Sequence, residues 1–137
     1  MKTWMLSLLL AILSIIPALA GETDKAWLGH HFQPEQCVRI RAGEETFTRK
    51  LCRIDYRIKK TAGAHNIEGQ LTFNTKFVPR LPKTIDLEIL LIDREFACIE
   101  QVDMSLVVDM PPVRFALRVP TGSNALYLRT YYTLHYE

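Results

Sequence analysis

The sequence predicts an all-β fold, either an antiparallel β-sandwich or a partly open (cracked) barrel of about seven or eight strands. Three observations support this prediction. Apolar and polar residues alternate with a period of two in several runs, which is typical of strands with one buried face. β-Branched and aromatic residues are frequent, and short turns containing Gly or Pro separate the runs. No segment has an apolar stripe at helical spacing.

The first half of the predicted domain contains three strands. The run 36–41 comes first, and a turn at 42–45 should fold it back onto the run 46–59. In the second run, apolar side chains alternate with charged ones, and the run is long enough to be bent or split. The run 66–77 alternates in the same way. The expected inward-facing residues of the last two runs are Cys52, Ile54, Tyr56, Ile58, Leu71, Phe73 and Phe77.

The second half contains four more strands, at 84–92, 95–108, 113–119 and 126–136. Turn residues at 109–112 and 121–124 separate the last three. The run 95–108 is also long enough to contain a bulge. The expected inward-facing residues include Ile85, Leu87, Ile89, Leu91, Val113, Phe115, Leu117, Val119, Leu128, Tyr132 and Leu134.

Length and charge exclude several function classes. The 137 residues, with 17 Lys and Arg against 15 Asp and Glu, predict one domain with a formal net charge of +2. So small a charge gives no sign of a nucleic-acid-binding face. A hydrophobic content of 48% excludes disorder of the whole chain.

The N-terminus is typical of a secretory signal peptide. Lys2 precedes an apolar run at 4–16, and Ala18-Leu19-Ala20 forms a small-residue cleavage site. The run is shorter than the ~20 residues that span a bilayer. We therefore expect a cleaved signal peptide at 1–20, a flexible arm at 21–34 and a single β domain at 35–137. The mature protein should be soluble and exported to a compartment where disulfides can form, with no transmembrane helix.

The three cysteines allow one disulfide. Cys37 and Cys52 lie symmetrically about the expected turn at 42–45, so a hairpin there would place them opposite each other. This pairing is the favoured one. Cys52 with Cys98 is the rival, as a link between sheets, and three reduced cysteines remain the third possibility.

The sequence offers little for catalysis or cofactor binding. His30 and His31, with His135 as a third ligand, are candidates for a metal site, but adjacent residues point in opposite directions and no Cys or carboxylate completes a set. Met104 and Met110 carry thioethers that suit Cu(I), although a core and a loop position explain them equally well. No nucleophile elbow or zinc-protease motif occurs. We expect no catalytic residues, no metal and no cofactor.

Five apolar residues break the alternation and are candidates for binding a partner. Leu90 and Ile92 share the polar face of their strand, Ile99 opposes its neighbours, and Tyr127 and Tyr131 share the face of Arg129. Burial on both faces of a central strand, or a bulge, would also explain them. The functional interpretation is an exposed apolar surface for a partner segment.

From about residue 66 to the C-terminus, the order of motifs resembles a known family. Gly69 lies in a strand that looks like its opening v-x-G-x-l pattern, and 79–93 looks like its L-P-x-x-a-x-l-x-v-x-L-x-D segment. The run 112–120 resembles its P-i-x-F-x-l-x-v-P strand, and Tyr127 onward its closing Y-x-l-r strand. The chain thus resembles the YscW-type family of type III secretion pilotins and related small bacterial envelope lipoproteins.

This resemblance implies a sandwich or cracked barrel without a catalytic centre. It implies a factor that binds a C-terminal segment of the outer-membrane secretin and assists its localisation and assembly. Family members are usually lipoproteins, whereas no acylatable Cys follows Ala20 here. The sequence therefore leaves open a soluble periplasmic pilotin, peripheral at the outer membrane, and an exported β-sandwich module that binds another envelope protein, a small ligand or a metal.

Overall fold

A computed structural model describes residues 26–137 of the chain. The expected signal peptide and residues 21–25 of the expected arm lie outside the described residues. Eight strands and one short 3₁₀ turn, Pro34–Gln36, form the described part. The strands are β1 Val38–Arg39, β2 Gly43–Thr48, β3 Cys52–Thr61, β4 Ala64–Phe73, β5 Thr84–Ile92, β6 Cys98–Val107, β7 Val113–Pro120 and β8 Tyr127–His135.

The strands form two four-stranded antiparallel sheets, which confirms the predicted sandwich. The first sheet has the order β1-β8-β5-β6 and the second has the order β2-β3-β4-β7. The sheets are not joined into a closed barrel, because no strand is shared between them. The alternation seen in the sequence therefore separates a core between the sheets from their outer faces.

The core lies between β3 and β4 of one sheet and β5 and β8 of the other. Ile54 and Ile58 from β3 and Ile85 and Ile89 from β5 are all at most 2% exposed. One buried polar contact joins the sheets, where the Tyr56 hydroxyl lies 2.7 Å from the Thr130 hydroxyl. Burial raises the pKa of Tyr56 to about 12, so this hydroxyl stays protonated at neutral pH.

The expected hairpin at 42–45 is wrong. The chain crosses between the sheets there, since Ile40 N–H donates to the Leu126 carbonyl in the first sheet while Gly43 begins β2 in the second. Gly43 has φ +140°, a conformation that favours glycine and permits this crossing. The first hairpin instead joins β2 to β3, with Thr48 opposite Arg53, so the predicted run 46–59 is split at 49–51.

A close contact between β4 and β7 fixes the packing of the second sheet. Gly69 lies opposite Phe115 on β7 and opposite Tyr56 on β3. A methyl group at Gly69 would overlap three carbons of the Phe115 ring. Glycine is thus required here because the aromatic ring occupies the space beside its Cα.

Candidate functional site

The outer face of the first sheet is covered by the chain's own N-terminal part, residues 26–37, which we call the covering segment. Leu90 and Ile92 are 0% exposed and form a second apolar cluster with Phe32 and Cys98. Their expected role as an exposed partner-binding surface is wrong. β5 is a central strand, with the core on one face and the covering segment on the other, which explains the apolar residues at polar positions.

The covering segment is held by hydrogen bonds and aromatic packing. Gly29 N–H donates to the Cys98 carbonyl at 2.8 Å, and Phe32 N–H donates to the Phe96 carbonyl at 2.9 Å. The Trp27 indole stacks on the Tyr131 ring, with ring centroids 4.7 Å apart. The expectation of a flexible arm is therefore wrong from residue 26 onward.

The remaining three partner-binding candidates are placed differently from one another. Tyr131 is half-buried under Trp27, and Tyr127 is half-buried against Phe96, with ring centroids 4.7 Å apart. Ile99 is 41% exposed, because it is the extra residue of a bulge where β6 pairs with β5. Of the five candidates, only Ile99 is exposed.

All three cysteines are free thiols in the structure. Cys37 adjoins β1 in the first sheet and Cys52 begins β3 in the second, so the hairpin that placed them opposite each other does not form. Cys52 and Cys98 belong to different apolar clusters. Burial raises the pKa of each thiol, so all three are poor nucleophiles at neutral pH.

The histidines of the candidate metal site are separated. His30 lies beside Cys98 at one end of β5, whereas His135 pairs with Thr84 at the other end. Among residues 26–137, no three His, Cys, Asp or Glu side chains are grouped to hold a metal ion.

A small polar network lies on the outer face of the first sheet. Asp86 accepts a hydrogen bond from Ser105 Oγ at 2.8 Å, and its other carboxylate oxygen lies 2.8 Å from His135 Nε2. The bond from Ser105 lowers the pKa of Asp86, with a smaller contribution from His135. The carboxylate stands between the hydroxyl and the imidazole, so the imidazole does not accept the serine proton as in a Ser-His-Asp triad.

The candidate functional site is the edge of β8. β1 pairs only with Tyr127 and Leu128, so within the described chain Arg129–His135 has β5 on one side and no strand on the other. We call this stretch the open edge. Hydrogen-bonding direction alternates along an antiparallel strand, and the His135 carbonyl accepts from the N–H of Lys83 on the β5 side. The backbone N–H and C=O groups of Thr130, Tyr132 and Leu134 therefore point outward from the open edge.

An apolar cleft of about 380 Å³ adjoins the open edge. Phe77, from the β4–β5 connection, is 44% exposed on one wall, and Tyr132 and Leu134 of β8 are half-buried on the other. We call this the side cleft. Its lining residues are Leu51, Phe77, Val78, Tyr132, Thr133, Leu134 and Tyr136.

Cations lie over aromatic rings of the side cleft and of the neighbouring Phe47. Arg49 lies 4.6 Å from the centroid of Phe47, Lys50 lies 5.0 Å from that of Phe77, and Arg80 lies 4.9 Å from that of Tyr136. None of these cations has a carboxylate within 4.0 Å among residues 26–137. We call the whole set the basic rim: Arg49, Lys50, Lys76, Arg80 and Arg129.

Arg129 differs from the rest of the basic rim because it is only 6% exposed. Its Nη1 donates to the Gln36 carbonyl at 2.7 Å, and its guanidinium lies 4.7 Å from the centroid of Tyr131 and 5.8 Å from that of Phe47. Its Nε has no hydrogen-bond partner among the described residues. Arg129 thus joins the covering segment, β8 and β2 at the point where β1 ends.

This site was not predicted from the sequence. Its residues belong to three separate parts of the chain, and Tyr132 and Leu134 have the ordinary inward parity of a strand. The available signal was Phe77, an aromatic residue between Lys76 and the proline-rich stretch at 79–82. Comparison of the chain with protein-family models, with curated proteins and with solved structures found no match. Within residues 26–137, no helix is long and apolar enough to cross a membrane.

Proposed function

We propose that this protein is a non-enzymatic, exported factor that assists the localisation and assembly of a type III secretion secretin. It would act in the periplasm, peripheral at the outer membrane, after removal of residues 1–20. The proposal rests on the signal-peptide pattern and on the resemblance to the pilotin family. The confirmed β-sandwich is compatible with the fold that this resemblance implies.

The observation that carries the proposal is the open edge with its side cleft. Pilotins of the resembled family bind a C-terminal secretin segment through apolar contacts. Such a role needs a surface that receives a length of polypeptide. Backbone groups with no pairing strand among residues 26–137, beside half-buried Tyr132 and Leu134 and exposed Phe77, provide one.

The alternative is an exported module that binds another envelope protein at the same surface. The open edge favours a polypeptide ligand over a small molecule, because a line of unpaired N–H and C=O groups matches a strand. The alternative differs from the first proposal only in the identity of the partner. Co-purification can therefore separate the two.

The test combines deletion with co-purification in a bacterium that carries both this gene and a type III secretion system. Deletion should reduce secretin multimers in the outer membrane, and the purified protein should retain the secretin C-terminal segment. A variant with Phe77→Asp and Leu134→Asp should lose both effects. The matched control is Ala116→Asp, at an exposed position on β7 of the other sheet. Unchanged secretin assembly together with no binding would refute the proposal.

A further inference from the structure

The first sheet lacks most of its fourth strand. In the second sheet, the edge strand β2 pairs with β3 over six residues, whereas β1 pairs with β8 over two. Phe47 of β2 and Leu51 are only half-buried, although both pack against the core. A strand beside Arg129–His135 would continue the line of β1 and cover these side chains.

The charges around the open edge restrict which kind of strand can pair with it. The five cations of the basic rim have no carboxylate within 4.0 Å among residues 26–137. A second copy of the chain, paired edge to edge, would bring another set of the same cations against them. Like charges at an edge are a known protection against self-pairing. An acidic strand would instead find opposite charges.

The different surroundings of the two faces of an added strand also restrict the sequence of the partner segment. Side chains on one face of an added strand would enter the side cleft, where Phe77, Tyr132 and Leu134 provide apolar contacts. Side chains on the other face would stay in solvent, where acidic residues would lie in the positive field of the basic rim beside the cleft. Because successive side chains of a strand alternate between faces, apolar and acidic residues should alternate in the occupant.

We propose that the open edge of β8 binds an extended segment of a partner protein, in which apolar residues alternate with Asp or Glu, as an added strand. The inference deepens the proposed function and rests on it only in taking the partner to be a protein. The main-chain hydrogen bonds would come from Thr130, Tyr132 and Leu134. The side cleft would select apolar side chains, and the basic rim would select negative charge.

The first experiment uses the purified exported protein and a synthetic peptide of about eight residues, a usual strand length, that alternates valine with glutamate. A peptide with lysine in place of glutamate is its control. We expect the acidic peptide to bind with saturation and to weaken with added salt, and the lysine peptide to bind at least about tenfold more weakly. Equal binding of the two peptides would overturn the assignment of the basic rim.

The second experiment locates the binding by NMR. With the acidic peptide bound, amide exchange at Thr130, Tyr132 and Leu134 should slow, while exchange on the free edge of β6 should be unchanged. Binding without protection of these three amides would overturn strand addition.

Paired charge reversals test the same site from the protein side. The double variant Arg49→Glu and Arg80→Glu should weaken the acidic peptide about tenfold or more. Arg114→Glu with Arg118→Glu makes the same charge change at exposed positions of β7 and should leave binding unchanged. Equal loss in both double variants would indicate a general charge effect and overturn the site.

Anionic vesicles of phosphatidylglycerol provide the competing outcome. If the first double variant loses vesicle binding and the acidic peptide never binds, the basic rim is a lipid site and the inference is wrong. Peptide binding, with no affinity for the secretin segment and unchanged secretin assembly on deletion, would instead support the inference and refute the secretin proposal. The two failures are thus distinguishable.

Discussion

Gly69 allows a direct test of how β4 and β7 pack. Replacing it with alanine places a methyl group within the Phe115 ring, so the ring or the strand has to move. Overpacking of this kind costs about 1–3 kcal/mol in the free energy of unfolding. Alanine recovers roughly 0.5–1 kcal/mol, because glycine is unfavourable inside a strand. We expect Gly69→Ala to lower the free energy of unfolding by about 1–2 kcal/mol.

The assay is urea denaturation followed by far-UV circular dichroism, with the free energy taken from the midpoint at constant slope. In a Phe115→Leu background, the ring is gone, so the same change should instead stabilise the fold by roughly 0.5–1 kcal/mol. The coupling between the two sites should thus equal the overpacking cost, about 1–3 kcal/mol. Gly122→Ala is the matched control, since nothing lies within 4 Å of the added carbon. An equal cost of Gly69→Ala in both backgrounds would refute the steric explanation.

Four further predictions concern the buried contact between the sheets, a surface carboxylate, the thiols and the covering segment. Thr130→Val should cost about 1–3 kcal/mol by leaving the Tyr56 hydroxyl unpaired, and adding Tyr56→Phe should recover part of this loss in urea melts. Asp86 has a lowered pKa, so its stabilisation should be present above pH ~4 and be lost as the pH falls through the folded-state value. The stability difference between wild type and Asp86→Asn should therefore shrink from pH 6 to pH 3, and it should stay within about 1 kcal/mol because the side chain is half-exposed. Thiol titration should find three free cysteines after denaturation, with Cys37 reacting first in the folded protein. Trp27→Ala should cost about 2 kcal/mol by uncovering the second apolar cluster, measured by urea denaturation.

Each of these predictions has an outcome that contradicts it. Additive effects of the Thr130 and Tyr56 changes would mean that the two hydroxyls do not interact. A difference for Asp86→Asn that does not change with pH would remove the carboxylate as its cause. Fewer than three thiols would establish a disulfide. For Trp27, the control is His31→Ala at an exposed position of the same segment, and equal losses would show that the indole is not the anchor.

The sequence predicted the strands best where alternation was regular. β5 spans Thr84–Ile92, as expected, because its core-facing residues alternate without interruption. The prediction of a hairpin at 42–45 was wrong because the symmetric spacing of Cys37 and Cys52 contains no information on which strands pair. The useful signal was Gly43, whose backbone conformation lets the chain leave one sheet for the other.

The site was harder to predict because its features depend on distant contacts. The broken alternation at Leu90 and Ile92 was detected, but their burial depends on Trp27 and Phe32, about sixty residues away in a polar segment. A Trp and a Phe among polar residues near the N-terminus were the signal for a covering segment. The length of the open edge depends on where β1 stops pairing with β8. No local sequence pattern indicates that position.

The two edges of the first sheet are protected by different means, and this difference supports a binding role for β8. At β6, the covering segment pairs with the start of the strand through Gly29 and Cys98. At β8, the 3₁₀ turn at Pro34–Gln36 directs the chain away from the strand, so that β1 begins only at Val38. An unpaired edge beside an apolar cleft invites aggregation unless charge prevents it. The basic rim supplies that charge in a form that repels a second copy and attracts an acidic strand. Protection against self-pairing requires charge at the edge but no apolar cleft beside it. The side cleft, with Phe77 exposed on its wall, therefore favours a role in binding.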